Sequence, residues 1–374
     1  MAGVKAMVLT KKETIEAREY PRPRIGADDG LLRLEACGIC GSDYEQYEGA
    51  QPVTDDYFPF PAIPGHEPLG IIEEVGKHAA QRWGVKEGDR VAMRSGYGCG
   101  TCEACARWEP RLCKTRGGTY GYTDVDRAPH LWGGYAEHMY LSPYSVMKKM
   151  DPALPAGVAV MFNPLAAGIS WAVSIPKTMP GERVVILGAG QRGICCAIAA
   201  KEAGARQVVI TGLGRDREKL ALARALGADV TVDVEARDVV EAVREATGGG
   251  AEVVVDTTPY APESLNHAIA IALRKGRVVV AGLKGMRPAQ DVPVDQIIYK
   301  ELTIRGVLSM PVDETFRAVE IIESRTYPFE KMHTLSLPLE QAEIAIHMLA
   351  GRVKGVNPVH LAIEPSAKPV ALPA

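Results

Sequence analysis

Four of the eight cysteines fall between positions 99 and 113: Cys99, Cys102, Cys105 and Cys113. Gaps of two residues let neighbouring thiolates turn toward one ion, and the longer third gap brings the loop back with the last one. Four thiolates close a tetrahedral zinc shell and leave no position for substrate, so the spacing points to a structural site. An iron–sulfur cluster is the other occupant that four thiolates suit, and reduced thiols in a loop are the plain alternative. A secreted disulfide scaffold would be shorter, with its cysteines spread along the chain. Cys195 and Cys196 are different. Adjacent residues on a helix point in different directions and make poor joint ligands, so this pair reads as buried packing.

A second set is more dispersed. The run Cys37-Gly38-Ile39-Cys40-Gly41-Ser42-Asp43 follows a strand-like segment, and Pro64-Gly65-His66-Glu67-Pro68 comes later. Cys40, His66 and Glu67 are all zinc-ligand types, and three protein ligands plus water define a catalytic zinc site. Separately, Cys40 reads as core, His66 as a capped loop residue and Glu67 as solvent-facing.

The third signal is Gly188-Ala189-Gly190-Gln191-Arg192-Gly193, a G-x-G-x-x-G run between an apolar strand and an Ala-rich helix. That context marks a dinucleotide fingerprint. Gly188 permits the tight turn, Gly190 lets backbone approach a pyrophosphate, and Gly193 allows close helix–strand packing. The helix N-terminus then faces the diphosphate with free N–H groups. The next strand should end in an acid for the ribose 2′-hydroxyl, but Gly212 stands there. Asp216 lies four residues on, between Arg215 and Arg217. A missing carboxylate beside arginines favours a 2′-phosphate, hence NADP. An Asp216 that curls back would serve NAD instead, and a solvated helix start is the plain reading of the arginines.

The elements around these residues divide the chain in three. Residues 1–165 are rich in Gly, Pro and short β-like runs such as 31–36, and the segment 95–116 carries the four-cysteine lobe. Residues 166–306 alternate strand and helix. Strands are expected at 183–187, 207–211, 229–232, 252–256 and 277–280, with helices at 190–203 and 217–226. That alternation predicts an α/β domain with a doubly wound parallel sheet. Residues 307–374 return to mixed structure and end in a Pro/Ala tail expected to be loose. At 374 residues the chain can bury a large core unaided. Its 47% apolar and 24% charged content excludes a disordered or collagen-like chain. A balance of 43 basic against 46 acidic residues, net −3, lacks the footprint of a nucleic-acid binder. No apolar run reads as long enough to span a membrane, and no signal-peptide pattern follows Met1, so a cytoplasmic location is expected.

Taken together the motifs resemble the zinc-dependent medium-chain dehydrogenases/reductases, the alcohol and polyol dehydrogenase group. Those that match are 37–43, Gly-His-Glu at 65–67, Gly-Asp-Arg-Val at 88–91, the cysteine lobe, Gly-Gly-Tyr-Ala-Glu at 133–137, and 188–193. The resemblance implies a GroES-like, β-rich catalytic domain built from 1–165 and 307–374, with a Rossmann domain, 166–306, inserted. It implies two zinc ions, one structural and one catalytic, and an NADP or NAD cofactor. Cys40 and His66 would be ligands, and Glu67 a direct or exchangeable one. Ser42 would pass on the substrate hydroxyl proton, and Asp43 would orient His66.

Two positions depart from that pattern. Asn163 stands where polyol dehydrogenases carry a glutamate ligand, and Glu45 stands where the proton relay is commonly His. Where simple alcohol dehydrogenases often place an aromatic wall, the chain has Ser95 beside Arg94. That points to a larger or more polar substrate, with an ordinary surface loop as the plain reading. The function expected is reversible oxidation of a primary or secondary alcohol to an aldehyde or ketone. A zinc-free enone or quinone reductase of the same fold, and a non-catalytic cofactor-binding protein, are the alternatives. The expected partners are a small-molecule substrate and further copies in a homodimer or homotetramer, with no nucleic acid and no membrane.

Overall fold

The computed structural model describes residues 3–49, 60–107, 112–113 and 117–371. Parts of the expected lobe, 108–111 and 114–116, and the end of the tail, 372–374, lie outside the described residues. The chain divides into two compact units, Met1–Asn163 with Val319–Ala374, and Pro164–Ala318.

The first unit is built on a seven-stranded sheet. Its central strand, Gly30–Gly38, pairs antiparallel with Glu67–Val75 and with His138–Leu141. On the same edge as His138–Leu141, near the strand's end, it takes the C-terminal strand His360–Ile363, with Cys37 opposite Ile363. This pairing draws the two chain ends into one sheet. Leu32, Leu34, Ile72, Val91, Met93 and Tyr135 fill the core beneath it. The tail is not loose as far as Val370, whose N–H and C=O are both held by the Gln341 side chain at 2.9 Å.

The second unit holds a parallel sheet of six strands: β1 (Arg183–Leu187), β2 (Gln207–Gly212), β3 (Val230–Asp233), β4 (Ala251–Asp256), β5 (Ala272–Val280) and β6 (Thr303–Gly306). Their spatial order is 3-2-1-4-5-6, the doubly wound arrangement. Val184, Val185, Ile186, Val208, Val209, Val253, Val254 and Val255 are fully buried, as expected where helices cover both faces of a parallel sheet. The helix after β1 is Gln191–Glu202, and Cys195 and Cys196 are buried within it. Burial pushes the Cys196 thiol up to about 12, which fits packing rather than reactivity.

One expectation needs correction. Ala156–Ser174 is a 19-residue apolar helical run, long enough to pass for a membrane span by composition. In the structure 83% of that window is buried in protein, and Ser170–Ser174 has π-helical pairing.

Candidate functional site

Cys40 sits between the strand Gly30–Gly38 and the helix Gly41–Tyr47, as the helix N-cap. Asp43 locks this turn: its Oδ2 accepts the Cys40 N–H at 2.8 Å. Its other oxygen lies 3.1 Å from His66 Nδ1. Asp43 is 1% exposed, so its carboxylate is committed to both tasks. The imidazole therefore turns Nε2 toward Cys40, with Sγ 3.1 Å away. Glu67 opens the strand Glu67–Val75 directly opposite Gly38. A Cβ at position 38 would lie 2.5 Å from Glu67 Oε2, so glycine there makes room for the carboxylate. Cys40, His66 and Glu67 are all buried, with ligand atoms within 4.8 Å of one another.

A thiol, an imidazole and a carboxylate converging in a buried space are the donor set zinc prefers. Burial of His66 opposes its charge, while Tyr122, Cys40 and Asp43 favour it, and the net direction is well above the ordinary histidine range. A proton and a cation thus compete for the same place, as at a metal site. Ser42 completes the cluster, its Oγ 2.8 Å from Cys40 Sγ and 3.3 Å from His66 Nε2. Glu45 follows one turn along the same helix, and burial, then Glu48, push its carboxyl up to about 7.

Tyr122 was not singled out from sequence. Its ring centre is 5.2 Å from that of His66, and its hydroxyl is 3.4 Å from Nδ1. Asn163 is buried near the start of the helix Phe162–Ile169. Arg94 is only 5% exposed, so it does not belong to an ordinary surface loop, and Ser95 beside it is half-buried.

The four lobe cysteines also converge within 4.8 Å. Cys99 and Cys105 sulfurs are 3.9 Å apart, and the Cys102 N–H donates to Cys99 Sγ at 3.3 Å. An amide aimed at a sulfur is the kind of contact that orients a thiolate ligand.

In the second unit Gly188 takes φ +105°, which favours glycine at the turn. A Cβ at Gly193 would lie 1.9 Å from Gly188 O. That glycine therefore serves the turn itself as well as helix packing. A Cβ at Gly190 would meet no protein atom within 4 Å; the open space lies at the N-terminus of the helix Gln191–Glu202, a place suited to phosphate. Gln191 is buried, and the Arg192 guanidinium stacks 5.3 Å over the Trp171 ring. Beyond β2, the Asp216 Oδ2 accepts the Leu213 N–H at 3.3 Å and Lys219 lies 3.5 Å from its other oxygen. Asp216 is thereby drawn into its own turn. Arg215 and Arg217 are exposed. A Cβ at Gly212 would lie 3.0 Å from Leu220 Cδ2, so a larger residue must displace that leucine.

Comparisons agree across the chain. Residues 26–151 match the family described as alcohol dehydrogenase GroES-like domain, and residues 192–324 match zinc-binding dehydrogenase. A Mycobacterium tuberculosis protein named "Probable alcohol dehydrogenase adh" is 45% identical over 97% of this chain and 99% of its own. An erythritol/L-threitol dehydrogenase of Mycolicibacterium smegmatis is 30% identical over 95% of this chain and 96% of its own. A solved zinc-binding dehydrogenase from Sinorhizobium meliloti, bound to NADP, superposes with a TM-score of 0.83 at 26% identity, covering 98% and 100% of the two chains.

Proposed function

The chain belongs to the zinc-type medium-chain dehydrogenase/reductase family and is an alcohol-oxidising oxidoreductase, and we propose that Cys40, His66 and Glu67 hold its catalytic zinc. The observation that carries this reading is the buried convergence of those donors with Ser42 beside them. Zinc held there would supply a Lewis acid that polarises the substrate oxygen and lowers the pKa of its hydroxyl. A dinucleotide seated at 188–193 would supply the hydride acceptor.

The chain's own residues handle the proton. Ser42 Oγ lies within reach of the ligand atoms and accepts the substrate's proton while passing on its own. Ser42 and Glu45 are spaced i, i+3 and so share a helix face. Glu45 takes the relay position. Its carboxyl, held at about 7 by burial and Glu48, is ionised above that pH and accepts the proton. Below it the carboxyl is already protonated and cannot. Alcohol oxidation should therefore rise through about pH 7, and carbonyl reduction should fall over the same range. Glu45→Gln should flatten both limbs and cost roughly 10²-fold in kcat, the usual worth of a positioned acid–base group. A pH–rate profile unchanged in the variant removes Glu45 from the path.

We assign a structural zinc to Cys99, Cys102, Cys105 and Cys113, and a preference for NADP. Support for NADP comes from the missing carboxylate at Gly212, the engagement of Asp216 with Lys219, and the exposed Arg215 and Arg217. Kinetics with an alcohol and polyol panel, run with NAD and NADP side by side, tests function and cofactor together. Metal content of two per chain supports the dehydrogenase, and one supports the zinc-free reductase. Ser95 at the wall position and the polyol-oxidising relative favour a polar alcohol.

A cytoplasmic location is supported by eight free cysteines, five of which, Cys40 and the four of the lobe, must stay reduced to bind metal. For assembly, β6 lies at the sheet edge and is exposed at all four residues. Nearby Ile298, Tyr299 and Leu308 are 65%, 80% and 65% exposed. An open edge beside apolar side chains suits pairing with a second copy, and light scattering reads the resulting mass.

Asn163 tests the metal shell itself. If it faces the zinc, Asn163→Glu adds an anionic ligand and should raise resistance to chelator with equal or lower kcat, because added negative charge weakens the Lewis acid. Glu67→Gln should lower zinc retention in the parent but less in the Asn163→Glu background, since residues sharing one ion do not act additively. Strictly additive chelator titrations place Asn163 outside the shell.

A further inference from the structure

Strand β4 ends on Asp256, whose side chain is wholly buried. Its Oδ1 accepts from Thr258 N at 3.1 Å and Thr258 Oγ1 at 2.5 Å. Its Oδ2 accepts from Ser264 Oγ at 2.6 Å and Lys284 Nζ at 2.8 Å. Lys284 also donates to Thr258 O at 2.6 Å and lies 3.0 Å from Ser264 Oγ. An ammonium has three hydrogens, and these partners use all three. Lys284 therefore has no donor to offer a ligand directly.

Its effect is on the loop that carries it. Ala281 and Gly282 N–H groups donate to Asp256 O, and Tyr260 N–H donates to Leu283 O, all at 2.9–3.0 Å. A Cβ at Gly282 would lie 2.3 Å from Thr258 O. Segment 281–285 is thus laid against 256–260. Between them Thr257 Oγ1 lies 2.9 Å from Leu187 O and 3.2 Å from Gly188 O, which ties the cluster to the phosphate turn. Leu283 and Met286 are held on this loop with 54% and 66% exposure.

In a 3-2-1-4-5-6 sheet a dinucleotide crosses the switch between β1 and β4. With the adenosine on the β2 side, the other nucleotide would lie over the ends of β4 and β5. We propose that Lys284 is a positioning residue for the nicotinamide half of the dinucleotide: by pairing with Asp256 it fixes 281–287 as the wall of that half-site, presenting Leu283 and Met286. The proposal rests on the dinucleotide reading of 188–193.

The test compares ligands that carry both halves with ligands that carry one. Calorimetry gives Kd for NADH and NADPH, and for 5′-AMP and adenosine 2′,5′-bisphosphate, which have only the adenosine half. Lys284→Met alone leaves a buried carboxylate unpaired and can prevent folding. The double variant Lys284→Met/Asp256→Asn removes both charges, and Leu283→Ala changes only the exposed wall. The double variant should bind the dinucleotide about tenfold more weakly, the scale of losing one ordered loop, while adenosine ligands stay within about twofold. The nicotinamide fluorescence shift of bound NADPH should shrink as well. Leu283→Ala should weaken only the dinucleotide. Unchanged dinucleotide affinity, or equal weakening of both ligand classes, overturns the proposal and leaves Lys284 structural. A parent protein that binds neither ligand class overturns the dinucleotide reading, and the proposal falls with it.

Discussion

Replacing His66 by Ala should cost at least ~10³-fold in kcat for alcohol oxidation, because a Lewis acid is worth several kcal/mol of transition-state stabilisation. The imidazole is the central member of its cluster, touching Cys40 Sγ at 3.1 Å, Ser42 Oγ at 3.3 Å and Asp43 Oδ1 at 3.1 Å. Its loss removes a ligand and leaves Asp43 buried without its ring partner. Metal content should fall by one per chain, while dinucleotide binding persists because 188–193 belongs to the other unit. Asp43→Asn is the graded companion. An amide still accepts from Cys40 N–H but no longer supplies a charge to the Nδ1 side, and orienting carboxylates are typically worth about 10–100-fold. An ordering in which Asp43→Asn costs more than His66→Ala would mean that Asp43 holds the loop 40–43 rather than the ring. Full metal content in His66→Ala with undiminished kcat would remove His66 from the site.

The legibility of these features follows the range of the interactions that make them. Strands β1, β2 and β4 were visible because Val and Ile runs buried on both faces advertise themselves in one window of sequence. β5 was expected only at 277–280, yet it begins at Ala272. Exposed Arg274 and Lys275 interrupt its apolar run, and the register with β4 jumps from Ala272 to Arg277, so the regularly paired part is the expected 277–280. The ligands Cys40, His66 and Glu67 were legible as residue types and as motifs, but their convergence needs the antiparallel pairing of Gly38 with Glu67. Tyr122 reaches His66 across 56 positions, along a path set by the loop after the cysteine lobe. Nothing local signals such a contact. Lys284 and Asp256 are the same kind of case, a loop lysine and a strand-end acid in sequence, joined only when β4 and β5 lie side by side. Ala156–Ser174 shows the reverse limit: composition alone cannot tell a buried helix from a spanning one, and burial decides.

Cys102→Ser should damage the fold far more than the chemistry. Cys102 caps the short helix Glu103–Ala106, and its N–H donates to Cys99 Sγ. Its own sulfur converges with those of Cys99, Cys105 and Cys113. The described lobe has little apolar support: the helix Glu103–Ala106 buries no residue. Around such a loop the ion supplies what a core otherwise would, and its binding free energy is folding free energy. A serine hydroxyl is a poor zinc donor beside three thiolates, so the variant should lose one metal per chain. Its melting temperature should drop by ~10 °C or more, given about 2–4 °C for each kcal/mol lost in a unit of this size. The catalytic cluster shares no ligand with the lobe, so kcat/KM of the protein that remains folded should stay within about twofold, the additive behaviour of independent sites. The pair of readouts separates the two sites: folded His66→Ala loses kcat, whereas Cys102→Ser keeps kcat/KM while its melting temperature falls. A Cys102→Ser protein that keeps both its melting temperature and its full metal content would show that these four sulfurs hold no structural ion.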